Sequence, residues 1–322
     1  QWVGGLDLDY AMSHAVRLGG TAEYRVRERT FREIEKDKET VLGARARLRP
    51  FDAIEIDGKY THADRKNDGF VAEDYLGYVV RSGSRVTGVY DSLVQAEQPG
   101  LRRFDVADRV QDKATAGVSY AIGERADMSA SYAYVMDDYK ESKFGLNDNK
   151  EHTVAAAGTI HVNDRVDLNG GYGFDWLRSN QTSRTSGGTL SALPESTWTA
   201  ELSDNDVFTQ FGFEWDVRPG RVTFVGDYQL SRHYATFHFT NGTKTAQDVP
   251  STIYRLHQAV VETRYYWMNS TTLSLRYGWE EYDTNDWATT DVPLIFPLTG
   301  AANAVFLGNS SRGYIAHRVA LI

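Results

Sequence analysis

The sequence contains no cysteine among its 322 residues. This absence excludes disulfide bonds, thiolate metal sites, cysteine nucleophiles and covalent haem attachment through a C-x-x-C-H motif. We therefore expect the chain to carry no cofactor of its own, and any redox group would have to belong to a partner.

Long hydrophobic runs are also missing. No window approaches the roughly 18 consecutive apolar residues that a transmembrane helix needs. The composition, 41% hydrophobic and 25% charged, is that of an ordinary soluble protein. A spanning β-barrel remains possible because half of each of its strands faces water. The composition thus leaves a large soluble β-protein or an outer-membrane barrel.

Proline is scarce, with 7 residues against 28 glycines and 19 tyrosines, which favours long strands over a loop-rich chain. The formal net charge is −9 and no basic stripe is present, so nucleic acid is not an expected partner.

Apolar and polar residues alternate with period two over 10 to 14 residues at a time. The clearest case is Arg165 to Trp176. There Val166, Leu168, Gly170, Tyr172, Phe174 and Trp176 form one row, and Arg165, Asp167, Asn169, Gly171, Gly173 and Asp175 form the other.

This alternation predicts about fifteen strands: 2–10, 15–27, 40–49, 53–62, 70–80, 84–94, 111–121, 127–137, 151–162, 165–177, 206–217, 221–234, 252–267, 270–283 and 313–322. A tilted strand needs about 9 to 11 residues to cross a bilayer, and these lengths fit. The sequence therefore predicts an all-β, transmembrane, antiparallel up-and-down β-barrel as a single domain over residues 1–322.

The predicted connections alternate in length, as in outer-membrane barrels with tight periplasmic turns and long external loops. The short ones are 11–15, 50–52, 82–83, 123–126, 163–164, 219–220 and 268–269. The long ones are 28–39, 63–69, 95–110, 138–150, 178–205, 235–251 and 284–312. A soluble β-sandwich has no reason to segregate loop lengths in this way.

The parity of the strands predicts a larger barrel. The first strand, 2–10, runs into a short turn, whereas single-chain barrels normally begin with a strand that leads into a long loop. We expect at least one further N-terminal strand, an even total, and an aromatic residue shortly after Ile322.

Aromatic residues recur near the ends of the outer row and predict a girdle at the headgroup level of a bacterial outer membrane, in contact with lipid. They are Trp2, Tyr10, Tyr24, Tyr60, Tyr90, Tyr120, Trp176, Trp215, Trp267 and Trp279.

The inner row carries charges of both signs. The predicted lumen-lining residues are Asp7, Asp9, Arg17, Arg25, Arg45, Arg47, Arg49, Glu55, Asp57, Asp167, Asp175, Asp227 and Arg276. If Leu48 pairs with Ile54, then Arg47 lies opposite Glu55 and Arg45 opposite Asp57, and such pairs support the sheet. Mixed charges do not form a selectivity ring for one ion type. They suit a wide water-filled pore or a wall that packs against another protein.

Catalysis has little support, and the chain is not expected to be an enzyme. The eight histidines are scattered, and no catalytic motif stands out. His233, His238 and Asp227 are expected near the outer rim, where outer-membrane enzymes place their groups, but as ordinary surface residues. The predicted acidic loops at 147–149 and 204–206 offer oxygen ligands for calcium without a full binding motif.

The stretch Phe306-Leu307-Gly308-Asn309-Ser310, followed by Tyr314 and His317-Arg318-Val319-Ala320-Leu321, resembles the end of the MtrB/PioB family, which closes with a similar LG…Y-x-x-H-x-V-x-L run. The long tyrosine-rich strands and the Arg- and Asp-lined inner row also resemble that family, whose members are porin-like sheaths of decahaem cytochrome conduits.

The resemblance implies a barrel that houses a periplasmic multihaem c-type cytochrome and lets electrons cross the outer membrane, with an outer-surface cytochrome as a further partner. The alternative is a general or substrate-specific diffusion porin, whose lumen holds only water and solute. A neighbouring gene with several C-x-x-C-H repeats would favour the conduit.

Overall fold

A computed structural model of the chain describes residues 1–29, 34–69, 101–140, 142–184, 197–241, 244–245, 249–268, 271–286, 296–297, 304–305 and 313–322. Among these residues, no helix is long and apolar enough to cross a membrane.

The described part of the chain is built from strands. Their bounds are β1 Trp2–Ala11, β2 Val16–Glu28, β3 Lys36–Phe51, β4 Ile54–Asn67, β5 Leu101–Arg102, β6 Arg109–Ile122, β7 Ala126–Asp138, β8 Phe144–Asn163, β9 Val166–Arg184, β10 Thr197–Arg218, β11 Val222–Asn241, β12 Lys244–Thr245, β13 Thr252–Met268, β14 Thr271–Asn285, β15 Phe296–Pro297, β16 Ala304–Val305 and β17 Gly313–Leu321.

Thirteen long strands form one antiparallel up-and-down sheet in the order β1-β2-β3-β4-β6-β7-β8-β9-β10-β11-β13-β14-β17. Each pairs with its neighbours along the chain, and within the described residues β1 and β17 are the two edges of the sheet. The sheet is thus a continuous part of a barrel wall, and the predicted fold class is confirmed.

Thirteen of the predicted strands occur, and their short-turn ends lie within about two residues of the expected bounds. The other two, 70–80 and 84–94, lie outside the described residues, as do Tyr90 and the 306–310 stretch. In the sheet β4 pairs directly with β6, from Ile54 opposite Tyr120 to Arg65 opposite Arg109.

Among the described residues, short turns at 12–15, 52–53, 123–125, 164–165 and 219–221 lie where they were predicted. Two of them contain a glycine in the left-handed region, Gly123 with φ 56° and Gly220 with φ 69°. The predicted turn at 82–83 and residue 269 of the predicted turn at 268–269 lie outside the described residues. We call the side of the sheet with these turns the short-turn end and the opposite side the long-loop end.

Several long connections are shorter than predicted because the strands continue into them. The connection expected at 28–39 contains the start of β3, and that expected at 138–150 contains the start of β8. The one expected at 178–205 lies partly in β9 and β10, and that at 235–251 partly in β11. Strands β8 to β11 have 19 to 22 residues. Since about 9 to 11 residues suffice to cross a bilayer, these strands project beyond it at the long-loop end.

The predicted register between β3 and β4 is wrong by two residues. Leu48 lies opposite Ile56, so Arg47 is opposite Asp57 and Arg45 is opposite Lys59. The cause is a register shift between Leu48 and Phe51, which lets β3 continue to Phe51, opposite Ile54. A shift of two keeps every side chain on its predicted face because the side-chain period is also two.

Candidate functional site

All thirteen predicted lumen-lining residues project from one face of the sheet. Two residues that are directly paired on neighbouring strands share a face of the sheet. Asp7 is paired with Thr21, Thr21 with Gly43, and the pairs continue in this way from strand to strand as far as Arg276 on β14. We call this the charged face. The opposite, apolar face carries residues such as Leu8, Val261 and Leu275, which are 45% to 60% exposed.

Arg45 is neutralised within the charged face. Its guanidinium binds the carboxylates of Asp7 and Asp9 on β1, with Nη2 2.6 Å from Asp9 Oδ2, and it also donates to Thr21 Oγ1 at 3.2 Å. These contacts join three strands, which makes Arg45 part of the structure of the wall.

Arg47 and Arg49 are less completely neutralised within the wall than Arg45. Both contact the single carboxylate of Glu55, at 3.2 Å and 2.5 Å, while their side chains stay 51% and 57% exposed. Arg17 lies directly opposite Arg47 on β2. This part of the charged face, close to the short-turn end, therefore presents cations to whatever occupies the space in front of it.

The charged face of β7 to β11 is acidic. Over residues 127–137, 149–161, 167–179, 202–216 and 223–237, all of them described, this face carries ten carboxylates and no lysine or arginine. They are Asp127, Asp137, Glu151, Asp167, Asp175, Asp204, Asp206, Glu214, Asp216 and Asp227. The wall thus has an arginine-bearing sector and a carboxylate sector.

Asp204 and Asp206 do not lie in a loop, as was predicted, but within β10, and 147–149 likewise lies within β8. Both carboxylates approach His233 Nδ1 on β11, at 3.1 Å and 2.8 Å. These three residues could hold a metal ion, although direct contact between the His233 ring and the two carboxylates accounts for the same geometry.

The expected rim grouping of Asp227, His233 and His238 is wrong. Asp227 lies five residues after the start of β11, near the short-turn end, whereas His233 and His238 lie much closer to the long-loop end. His233 and Asp227 share the charged face, while the parity of β11 places His238 on the other face.

A segment that the sequence did not single out covers the charged face at the long-loop end. We call residues Leu101–Asp108 the strap. The Arg65 guanidinium donates from Nη2 to the carbonyl oxygens of Phe104 at 2.6 Å and Ala107 at 2.8 Å, and from Nε to Ala107 at 3.1 Å. Asn67 donates to the Val106 carbonyl at 2.7 Å.

An ion cluster is buried beside the strap. Asp37 and Glu39 of β3 are 0% and 1% exposed. Glu39 accepts from Arg27 at 3.1 Å and from Arg109 at 2.8 Å, and Asp37 lies 2.5 Å from Arg29. Buried charges persist only when they are paired and hydrogen-bonded. Glu39 meets both conditions, whereas Asp37 is ion-paired with Arg29 and Arg27 but neither of its carboxylate oxygens accepts a hydrogen bond. Nearby, burial in the β7–β8 connection raises the pKa of Tyr139, because the anionic form is disfavoured there.

Replacing Arg65 with Met should loosen the strap. The change removes the Arg65 donors from the buried Ala107 carbonyl and the part-buried Phe104 carbonyl, and leaving a buried acceptor unsatisfied costs about 1–3 kcal/mol. We expect faster hydrogen exchange at the amides of Val106 and Ala107, which both donate to the Arg103 carbonyl. The matched control is Lys66→Met, the next residue, which is exposed and on the other face. Equal exchange rates in both variants would contradict the assigned role of Arg65.

The apolar face carries the described members of the predicted aromatic girdle. One band lies within three residues of the short-turn end of each strand and contains Tyr10, Tyr120, Trp215 and Trp267. The other band lies eight to ten residues from the short-turn end and contains Trp2, Tyr24 and Trp176. Two aromatic bands bounding an apolar strip are what amphipathic rings form at the two surfaces of a bilayer.

Histidines that looked scattered follow a pattern on this face. A tyrosine stands six residues after the first residue of β4, β7, β9, β11 and β14, at Tyr60, Tyr132, Tyr172, Tyr228 and Tyr277. In three cases its hydroxyl is 2.8 Å from a histidine Nδ1 on the following long strand; the pairs are Tyr132–His152, Tyr228–His257 and Tyr277–His317. The histidines thereby join the long-loop-side aromatic band. The sequence signal was a tyrosine at a constant distance from five of the short turns.

A sheet with an apolar face, a charged face, bilayer-spanning strands and alternately short and long connections is the wall of an outer-membrane β-barrel. The sequence profile of the family described as "Putative outer membrane beta-barrel porin, MtrB/PioB" matches residues 3–322. The chain belongs to this family and is an outer-membrane protein. The family is one of porin-like barrels, not of enzymes.

Among curated proteins, the chain is 21% identical over 314 residues to "Outer membrane protein MtrB" of Shewanella baltica (strain OS185). The match covers 97% of this chain and 41% of that protein, so the chain spans less than half the length of this relative.

Among solved structures, the chain is similar in fold to the ferric-catecholate import receptor Fiu of E. coli K12, with a TM-score of 0.50 and 11% identity over 88% of this chain and 57% of that one. It also matches the ferric yersiniabactin uptake receptor FyuA of Yersinia pestis, with a TM-score of 0.48 and 12% identity over 87% of this chain and 52% of that one. At such identities the likeness to Fiu concerns the fold alone.

Proposed function

We propose that the charged face lines the lumen of the barrel and that this lumen houses a multihaem c-type cytochrome, so that electrons cross the outer membrane inside a protein sheath. The observation that carries this proposal is membership of the MtrB/PioB family over residues 3–322. The chain would supply no redox group, and the haems would belong to the periplasmic partner, with an outer-surface cytochrome as a further partner.

The charges of the face support a protein occupant. Arginine forms bidentate contacts with carboxylates, including haem propionates, and Arg47 and Arg49 keep about half of their side-chain surface free for such contacts. The carboxylate sector across β7 to β11 would face basic groups of the same occupant. An occupant that carries both charges would be held in one orientation, since complementary potentials fix the register of an interface.

Purification of the full-length gene product in mild detergent tests the proposal. We expect a red complex in which a separate, haem-staining polypeptide migrates with the barrel at constant ratio. A colourless preparation that conducts ions freely in a planar bilayer would contradict it and favour the diffusion porin. The ten carboxylates of β7 to β11 would then make conduction favour cations.

A further inference from the structure

The strap bridges strands that are not neighbours in the sheet. At one end, Leu101 and Arg102 pair in parallel with Phe144 and Gly145 at the beginning of β8. At the other end, the Asp108 carboxylate accepts from the backbone and side-chain nitrogens of Asn67 on β4, both at 2.8 Å. Because β6 and β7 lie between β4 and β8 in the sheet, the strap crosses the ends of these two strands.

The strap lies on the charged face, near the outer surface of the membrane. Its anchors Arg65 and Asn67 project from the charged face of β4, eleven and thirteen residues after Ile54, where β4 begins. A tilted strand crosses the bilayer in about 9 to 11 residues. These anchors are therefore at or just beyond the level at which the lumen would open to the outside.

Burial and hydrogen bonds hold the strap in place. Val106 and Ala107 are 1% and 2% exposed. Four strap carbonyls are hydrogen-bonded by Arg29, Arg65 and Asn67, and bonds to charged donors are stronger than neutral ones. Phe104, in contrast, is 63% exposed. The strap thus adds bulk in front of the charged face.

We propose that the strap is a built-in constriction that narrows the long-loop opening of the lumen over the β3–β8 sector. It would exclude bulky solutes from this side and limit how far a lumen occupant extends toward the outside. The inference rests on the proposed assignment of the charged face to the lumen, but not on the identity of the occupant.

Thiol labelling tests this constriction, because these 322 residues contain no cysteine. Ala63→Cys places a thiol on the charged face two residues before the anchor Arg65, at a position that is 6% exposed. Ser231→Cys places one on the charged face of the β11 sector, at a partly exposed position. Both positions lie nine residues after the first residue of their strand. Each variant is produced as the full-length protein in intact cells, with and without the haem-staining partner. A bulky, membrane-impermeant maleimide is then added from outside. Cells that produce the protein without the introduced cysteine give the background labelling.

In cells without the partner, we expect the Ser231→Cys variant to be labelled and the Ala63→Cys variant to be protected. Adding Arg65→Met and Asn67→Ala, which remove the anchors, should abolish the protection. A second variant, in which glycines replace residues 104–107, should do the same. Heat-modifiable gel migration of each variant shows that its barrel has formed.

Equal labelling of the Ala63→Cys and Ser231→Cys variants in the otherwise native protein would overturn the constriction while leaving the lumen assignment intact. Protection that persists in both strap variants would also overturn it. If neither position is labelled in cells without the partner, the charged face does not line an open lumen. The face assignment in the proposed function would then fall, and the constriction with it.

Discussion

Val261→Arg should destabilise the barrel by about 2–4 kcal/mol, the cost of a charged side chain at the bilayer midplane on a lipid-facing position. Val261 is 45% exposed on the apolar face. On β13 it lies midway between Tyr265 and His257, which belong to the two aromatic bands. The free energy of unfolding in lipid vesicles, measured by urea titration, gives the cost directly.

The neighbouring residue provides a matched control. Val260 lies on the charged face, directly opposite Asp227 on β11. An arginine there would face water and a carboxylate, so Val260→Arg should change the free energy of unfolding by only a few tenths of a kcal/mol, as surface substitutions do. If Val260→Arg were the more damaging change, the two faces would have to be exchanged.

Reversing the charge of Arg47 and Arg49 to Glu should release the haem-staining partner. Like charges brought together at an interface cost several kcal/mol, so we expect at least about a tenfold loss of affinity. The measurement is the ratio of haem absorbance to barrel protein after purification at equal salt. Arg45 is left unchanged because it holds Asp7 and Asp9 in the wall.

The control for this experiment reverses two other arginines at the same end of the barrel. Arg165 and Arg221 lie in short turns, outside the strands of the charged face. Arg165→Glu with Arg221→Glu alters the net charge equally and should retain the partner. Loss of haem from both double variants would indicate a general electrostatic effect instead of a contact in the lumen.

The membrane-crossing part of the fold could be predicted from the sequence because a bilayer imposes opposite solvents on the two faces of each strand. Leu168 and Asn169 show this: adjacent residues had to differ in polarity, and the alternation placed them on the correct faces. The same parity argument put all thirteen charged residues on one face, even where the β3–β4 register was wrong by two.

The ends of the strands could not be predicted in this way. Beyond the membrane both faces meet water or other polar groups, so the alternation disappears although the strand continues. Asp37 and Lys38 are an example, since both are charged and yet project from opposite faces of β3. The sequence therefore predicted loops where the structure has strand.

The strap was missed for a different reason. Its anchoring is made by backbone carbonyls that accept from Arg65 and Asn67, and any residue type supplies a carbonyl. Only the distant arginine and asparagine carry a sequence signal, and an isolated polar residue near a strand end is normally solvated. Contacts such as Arg65 to Ala107, 42 positions apart, become visible only in the folded chain.

Photo-crosslinking from two adjacent residues of β10 tests most directly whether the charged face holds a multihaem cytochrome. Gln210 projects from the charged face, opposite Gly171 and Gln229, and Phe211 projects from the apolar face and is 52% exposed. A photoreactive amino acid at position 210 should yield a crosslinked band that stains for haem, whereas at position 211 it should not. Haem-staining crosslinks from position 211 alone, or from neither position, would contradict the account.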